Sequence, residues 1–268
     1  QFAPALTGYA ASRGNDDFFM FGEVFDADPR FMSRYTTEGK LQATVDFGFQ
    51  AHGANFGNGN PTTELRDFFA RDDYYTDTDS NAYSLPTFLG NHDMGRIGSF
   101  VRGRNADADD SELLARDELA HSLMYLTRGQ PVVYYGDEQG FAAELNEPSG
   151  VGDQRAREDM FPSQVAEYND NDLIGTDATT ADANYDPTHP LYQRLADLSA
   201  LRDEHPALAD GAQVHRYSSN AAGVYAFSRI DAEDQVEYLV AANNAEEAKT
   251  VTFPTFSDNM NFKGIWPA

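Results

Sequence analysis

Cysteine is absent from the 268 residues. That excludes disulfides, thiolate metal sites and a cysteine nucleophile, and leaves the redox compartment open. No apolar run approaches the roughly 18 residues of a membrane helix, so no membrane partner is expected. Basic residues are scarce: 19 Lys and Arg stand against 44 Asp and Glu, a net charge of −25. Such a surface repels nucleic acid and anionic lipid, and neither is expected as a partner. The acids bunch at Asp72-Asp73, Asp77 to Asp79, Asp107 to Asp110 and Asn169 to Asp172. A solvated face accounts for them, and a salt-adapted source fits the same excess. No internal repeat has a solenoid period. No leader peptide is visible, but the first residue is Gln1 rather than Met, so this decides nothing. Localisation stays open, with secretion favoured over the cytoplasm.

Hydrophobic residues make up 41% of the chain, enough for a substantial core. Apolar spacing predicts a helix over Phe2–Ala11, and the aromatic run Phe18–Gly22 predicts a buried strand. Asp28 before Pro29 predicts a capped helix over Pro29–Tyr35. Leu41–Phe47 alternates as a second strand that includes Asp46, and Thr62–Phe69 follows as a helix. Leu85–Leu89 reads as a third strand, Ser111–Thr127 as a helix capped by Ser111, and Pro131–Tyr135 as a fourth strand. Residues 136–188 are rich in Gly, Asp and Asn and too long for an idle connection, which predicts a site loop. Leu191–Glu204 reads as a helix stopped by His205-Pro206. Strands alternating with helices four times predict an α/β fold of parallel βα units. After that come strands alone, over Gln213–Ser218, Val224–Ile230, Val236–Ala241 and Lys249–Phe253. The predicted division is 1–208 and 209–268, the second part all-β.

In such units the chemistry gathers at the carboxyl ends of the strands. Glu23, Asp46, Asn91-His92-Asp93 and Tyr135-Gly136 are all predicted there. Phe21, Val24 and Phe25 flank Glu23, which predicts a desolvated carboxyl able to hold a proton near neutrality. Asp93, beside His92 and near Arg96, is expected to stay ionised. A protonated Glu and an ionised Asp on nearby strand ends form the pattern of glycosidic bond cleavage. The structural alternatives are a Glu23–arginine pair made for stability, a packed His92, and Asp93 as a turn residue.

Phe21-Gly22-Glu23-Val24-Phe25-Asp26, Phe88-Leu89-Gly90-Asn91-His92-Asp93 and the segment Gly129-Gln130-Pro131-Val132-Val133-Tyr134-Tyr135-Gly136-Asp137-Glu138 resemble three signature regions of glycoside hydrolase family thirteen, the α-amylase family. They stand in the family's order and at its approximate spacing. The resemblance implies the second half of a (β/α)8 TIM barrel, strands five to eight, followed by a truncated all-β sandwich domain. The first four strands and the nucleophile-bearing segment are then expected upstream.

The function implied is that of a retaining α-glycosidase on α-1,4-linked glucans, an α-amylase-like hydrolase of starch or maltooligosaccharides. Glu23 is expected as acid/base and Asp93 as stabiliser of the distorted sugar at subsite −1, with His92 and Asn91 binding sugar. Asp153 and Arg157 match a family pair at subsite −2; a salt bridge that only stabilises the loop is the equal alternative. No segment matches the family's nucleophile, so these residues alone are expected to be inactive and to need the N-terminal half of the same barrel as partner. Runner-up activities are those of a cyclomaltodextrinase, a neopullulanase-like hydrolase and a glucanotransferase. From another class, the chain could be a non-catalytic relative that binds sugar or a partner. Calcium is common in the family, but its usual ligands would lie upstream. No cofactor or metal site is expected in this chain, and calcium only in the complete protein.

Overall fold

In the computed structural model, which describes residues 2–143 and 155–266, four short parallel strands run in chain order with helices between them. Helix α1 spans Phe2–Ser12, and β1 (Phe21–Gly22) pairs in parallel with β2 (Ala43–Thr44). Between these strands runs α2 (Pro29–Thr37). It starts as predicted: the Asp28 carboxylate accepts from the Arg30 N–H, and proline fills the first helical position.

After β2, Asp46 caps α3 (Phe47–Gly57) by accepting from the Phe49 N–H, and α4 (Thr63–Phe69) follows. Strand β3 (Pro86–Phe88) pairs in parallel with β4 (Gln130–Val132), across α5 (Ile97–Arg104) and α6 (Asp110–Leu126). A single parallel bridge, Asp46 to Thr87, joins the two strand pairs. Beyond β4 the described residues are largely irregular up to α7 (Pro190–Glu204) and the short α8 (Ala207–Asp210). Strands β5 (Ala212–Tyr217), β6 (Val224–Ile230) and β7 (Glu237–Asn243) then form one antiparallel sheet.

The expected elements are largely present, with four corrections. The first strand covers only Phe21–Gly22 and is not buried: Phe19, Phe21 and Phe25 are 47%, 55% and 66% exposed. Among the described residues β1 pairs with β2 alone. The second strand stops at Thr44, and Phe47 opens a helix instead. Asp109, not Ser111, caps α6; its carboxylate accepts from the Glu112 N–H at 2.9 Å, and Ser111 Oγ donates to the same oxygen. Lys249–Phe253 is no strand, since it finds no ladder partner among the described residues.

Two hydrophobic clusters form. The larger joins α3–α6 to the later elements through Phe49, Phe56, Ile97, Leu123, Met124, Leu198, Tyr225 and Phe227. The smaller contains Met32, Ala43, Phe47, Tyr75, Leu85 and Phe88, so β2 and α2 rest on it. No helix of the described residues is long and apolar enough to cross a membrane.

Candidate active site

A closed turn after β3 presents the His-Asp pair. Asn91 N–H donates to the Gly95 carbonyl at 2.9 Å, and Gly95 N–H donates back to the Asn91 carbonyl at 3.1 Å. Asn91 Oδ1 accepts from the N–H groups of Asp93 (2.9 Å) and Met94 (2.7 Å). Such side-chain-to-backbone bonds make asparagine a turn builder. Expected at the sugar, Asn91 commits its carboxamide oxygen to holding this turn. Gly95 closes it at φ +109°, where a side chain would be strained.

The turn leaves His92 exposed and Asp93 half-buried. His92 Nε2 lies 2.9 Å from Asp93 Oδ2. The other oxygen, Oδ1, accepts from Arg157 Nη2 at 3.0 Å, and Arg157 Nε donates to the His92 carbonyl at 3.0 Å. His92, Asp93 and Arg157 are thus brought together. Asp153, expected beside Arg157, lies outside the described residues.

Glu23 follows β1 directly, at the carboxyl end of the strand. The desolvation expected for it is absent: Glu23 is exposed, and so are Phe21 and Phe25 on either side of it. Its neighbour Val24 holds φ +44°, a left-handed conformation that strains a β-branched residue by about 1–3 kcal/mol. Asp46 does not join the site. It is buried, caps α3 and pairs with Arg128 at 2.6 Å, which makes it a structural residue.

Behind the turn lies a network that the sequence reading passed over. Arg96 is fully buried. It donates to Glu158 Oε2 (2.8 Å), Asp137 Oδ1 (2.9 Å) and the Tyr135 carbonyl (2.7 Å). Its guanidinium lies over the rings of Tyr134, Tyr135 and Phe141. Burial pushes the Asp137 carboxyl up to about 7 and the Glu158 carboxyl upward as well, while Arg96 opposes both shifts. The signals were Arg96 three residues after Asp93 and Glu158 directly after Arg157. No group of three His, Asp or Glu side chains able to hold a metal ion occurs among the described residues, Asp107–Asp110 and Asn169–Asp172 included.

Parallel βα units with a Glu at one strand end and a His-Asp pair at another gather their polar groups where β/α-barrel enzymes carry their chemistry. The family model for the alpha-amylase catalytic domain matches residues 1–211, and the chain belongs to that family. It is 49% identical to an alpha-amylase of Streptomyces lividans over 267 residues, 99% of this chain and 28% of the relative. It is 26% identical to a cyclomaltodextrin glucanotransferase of Klebsiella oxytoca, over 91% of this chain and 36% of the relative. Among solved structures, the alpha-amylase of Geobacillus thermoleovorans in complex with acarbose superposes with a TM-score of 0.66 at 21% identity, covering 92% of this chain and 46% of that one. The chain therefore spans between about a quarter and just under half of the length of these relatives.

Proposed function

We propose that this chain carries the acid/base part of the catalytic centre of a retaining α-glucan hydrolase, within a longer protein whose remaining part supplies an aspartate nucleophile. The observation that carries this reading is the assembly of His92, Asp93 and Arg157 at the end of β3, with Glu23 at the end of β1. The relatives' length supports the second half of the reading: a barrel needs eight strands, and four parallel ones are present here. On this reading residues 1–208 are strands five to eight of the barrel, and 209–268 begin a β-sandwich. Calcium, where the whole protein uses it, binds in the remaining part. The substrate is an α-1,4-glucan, in keeping with the acarbose complex of the Geobacillus relative.

In the reaction Glu23 protonates the glycosidic oxygen as the bond to the anomeric carbon breaks, and the nucleophile takes that carbon. Glu23 then removes a proton from water, which releases the sugar with retention. Asp93 faces the positive charge that develops on the ring, and His92 binds the same sugar. Glu23 does not come ready desolvated in this chain. Covering it falls to the bound glucan and the other half of the barrel.

The test uses the full-length protein that contains this chain. Glu23→Gln keeps the shape and removes the transferable proton, and is expected to lower turnover on starch by about 10²–10⁴-fold with maltooligosaccharide binding kept. An unchanged rate removes Glu23 from this role.

A further inference from the structure

We propose that Arg157 acts on Asp93, and that the buried Arg96–Glu158 pair is the device that holds Arg157 there. Arg96, Arg157 and Glu158 are then positioning residues for the carboxylate at subsite −1. The inference rests on the reading of Asp93 given above.

The two ion pairs are crossed between two short segments. Asp93 and Arg96 lie three residues apart on the turn after β3, and Arg157 and Glu158 are consecutive on the facing segment. Asp93 meets Arg157 at 3.0 Å, and Arg96 meets Glu158 at 2.8 Å. The exposures decide which pair governs the other. The outer pair is 45% and 34% exposed, and an ion pair in that position contributes little and holds its partners loosely. The inner pair is 0% exposed on both sides, where losing one partner strands a buried charge.

Glu158 is fixed at two further points, and its partner Arg96 at two more. Its Oε1 accepts from Asn171 Nδ2 at 3.0 Å, its carbonyl accepts from the Tyr135 hydroxyl at 2.8 Å, and Arg96 is itself tied to Asp137 and the Tyr135 carbonyl. These bonds anchor the backbone next to Arg157 and so help to hold its side chain at Asp93. Once there, its two donors bridge Asp93 Oδ1 and the His92 carbonyl while His92 Nε2 lies against Oδ2. Each oxygen of the Asp93 carboxylate then has a donor-bearing neighbour, Arg157 at Oδ1 and His92 at Oδ2. A guanidinium bonded to both residues of the His-Asp pair acts at subsite −1 whatever the length of the sugar beyond it.

The test compares two substrates in the full-length protein: an aryl α-maltotrioside that reaches subsite −2, and α-glucosyl fluoride, which occupies −1 alone. Arg157→Ala is expected to lower kcat about 10-fold or more on both, with KM changed less, and Arg157→Lys to recover part of the loss. Glu158→Gln keeps an acceptor for Arg96 and loses the charge; it is expected to lower kcat in the same way. In an Asp93→Asn background, Arg157→Ala is expected to cost much less than in the wild type, because the two act as one unit. A loss confined to KM on the maltotrioside, or full additivity with Asp93→Asn, overturns the inference and makes Arg157 a contact of subsite −2. A wild-type rate for Glu158→Gln removes the inner pair from it. Should Glu158→Gln fail to fold, the Arg157 cycle still decides, since Arg157 is exposed.

A second readout is independent of turnover. The Arg157 Nη2 hydrogens, which donate to Asp93, are expected to be protected from exchange in the wild type and to lose protection in Asp93→Asn. An unprotected signal in the wild type overturns the contact whether or not the protein cleaves glucan, whereas a wild type inactive on both substrates overturns only the functional reading.

Discussion

Arg128 donates to Asp46 at 2.6 Å, and both side chains are buried. Its other nitrogens reach Asp72 at 2.9 and 2.6 Å. Asp46 bridges toward β3 and caps α3, so one guanidinium ties the end of β2 to the approach to β4. Arg128→Ala leaves Asp46 as an uncompensated buried charge. The expected loss is about 3–5 kcal/mol of stability, read as a fall in the urea midpoint. A loss below about 1 kcal/mol would show that the pair contributes no more than a surface contact.

Asp93→Asn keeps size and loses charge. In the full-length protein, turnover on maltooligosaccharides is expected to fall by about 10²–10³-fold, with a smaller change in affinity. Mass spectrometry of the wild type with an activated fluoride donor checks the division of labour. A glycosyl group found on Asp93 itself would make it the nucleophile.

Asp137 makes stability depend on pH in a definite direction. Burial raises its folded-state value from 3.8 to about 7, against the pull of Arg96. Between those values the folded protein keeps a proton that the unfolded chain has released. Its contribution is therefore fully present below about pH 4 and is lost as pH rises toward 7. Asp137→Asn keeps an oxygen for Arg96 and does not titrate. Relative to this variant, the wild type is expected to lose stability steadily from pH 4 to 7 in urea titrations. A constant difference between the two would refute the assignment.

The net charge of −25 is a self-repulsion that salt screens, since the Debye length shortens from about 10 Å at 0.1 M to about 3 Å at 1 M. The thermal midpoint is expected to rise over that interval of sodium chloride. A falling midpoint would mean that the exposed ion pairs, such as Lys40 with Asp77 and Asp79, outweigh the repulsion.

The strands, the late helices and the His-Asp turn were legible because each has a local cause. Asp28-Pro29 starts a helix by capping chemistry, and a short apolar run that ends in polar residues makes a strand end. Helix α3 was not legible, since its segment carries three glycines and helix propensity argues against it. Tertiary packing overrides: a Cβ on Gly53 would lie 2.7 Å from Leu89, so the bare backbone is what lets the helix close on its neighbour. The exposure of Glu23 was not legible either. Aromatic neighbours in sequence predict desolvation only when something packs over them, and that depends on which strand stands at an edge. Arg96 and Glu158 were on view as residues, but a pairing across 62 positions leaves no local trace.

The smaller cluster holds Phe47 and Phe88 and the larger one Phe49 and Leu89, so α3 and the end of β3 run between the two, while one parallel bridge, Asp46 to Thr87, joins the two strand pairs. Glu23 lies on the side with the smaller cluster, while His92, Asp93 and Arg157 are braced by the network beside the larger one. Within this chain the cost of opening is therefore graded. Strand β1, which has one pairing partner among the described residues, is expected to open in this chain before the buried network around Arg96 does, so its amides exchange first while the rest stays closed.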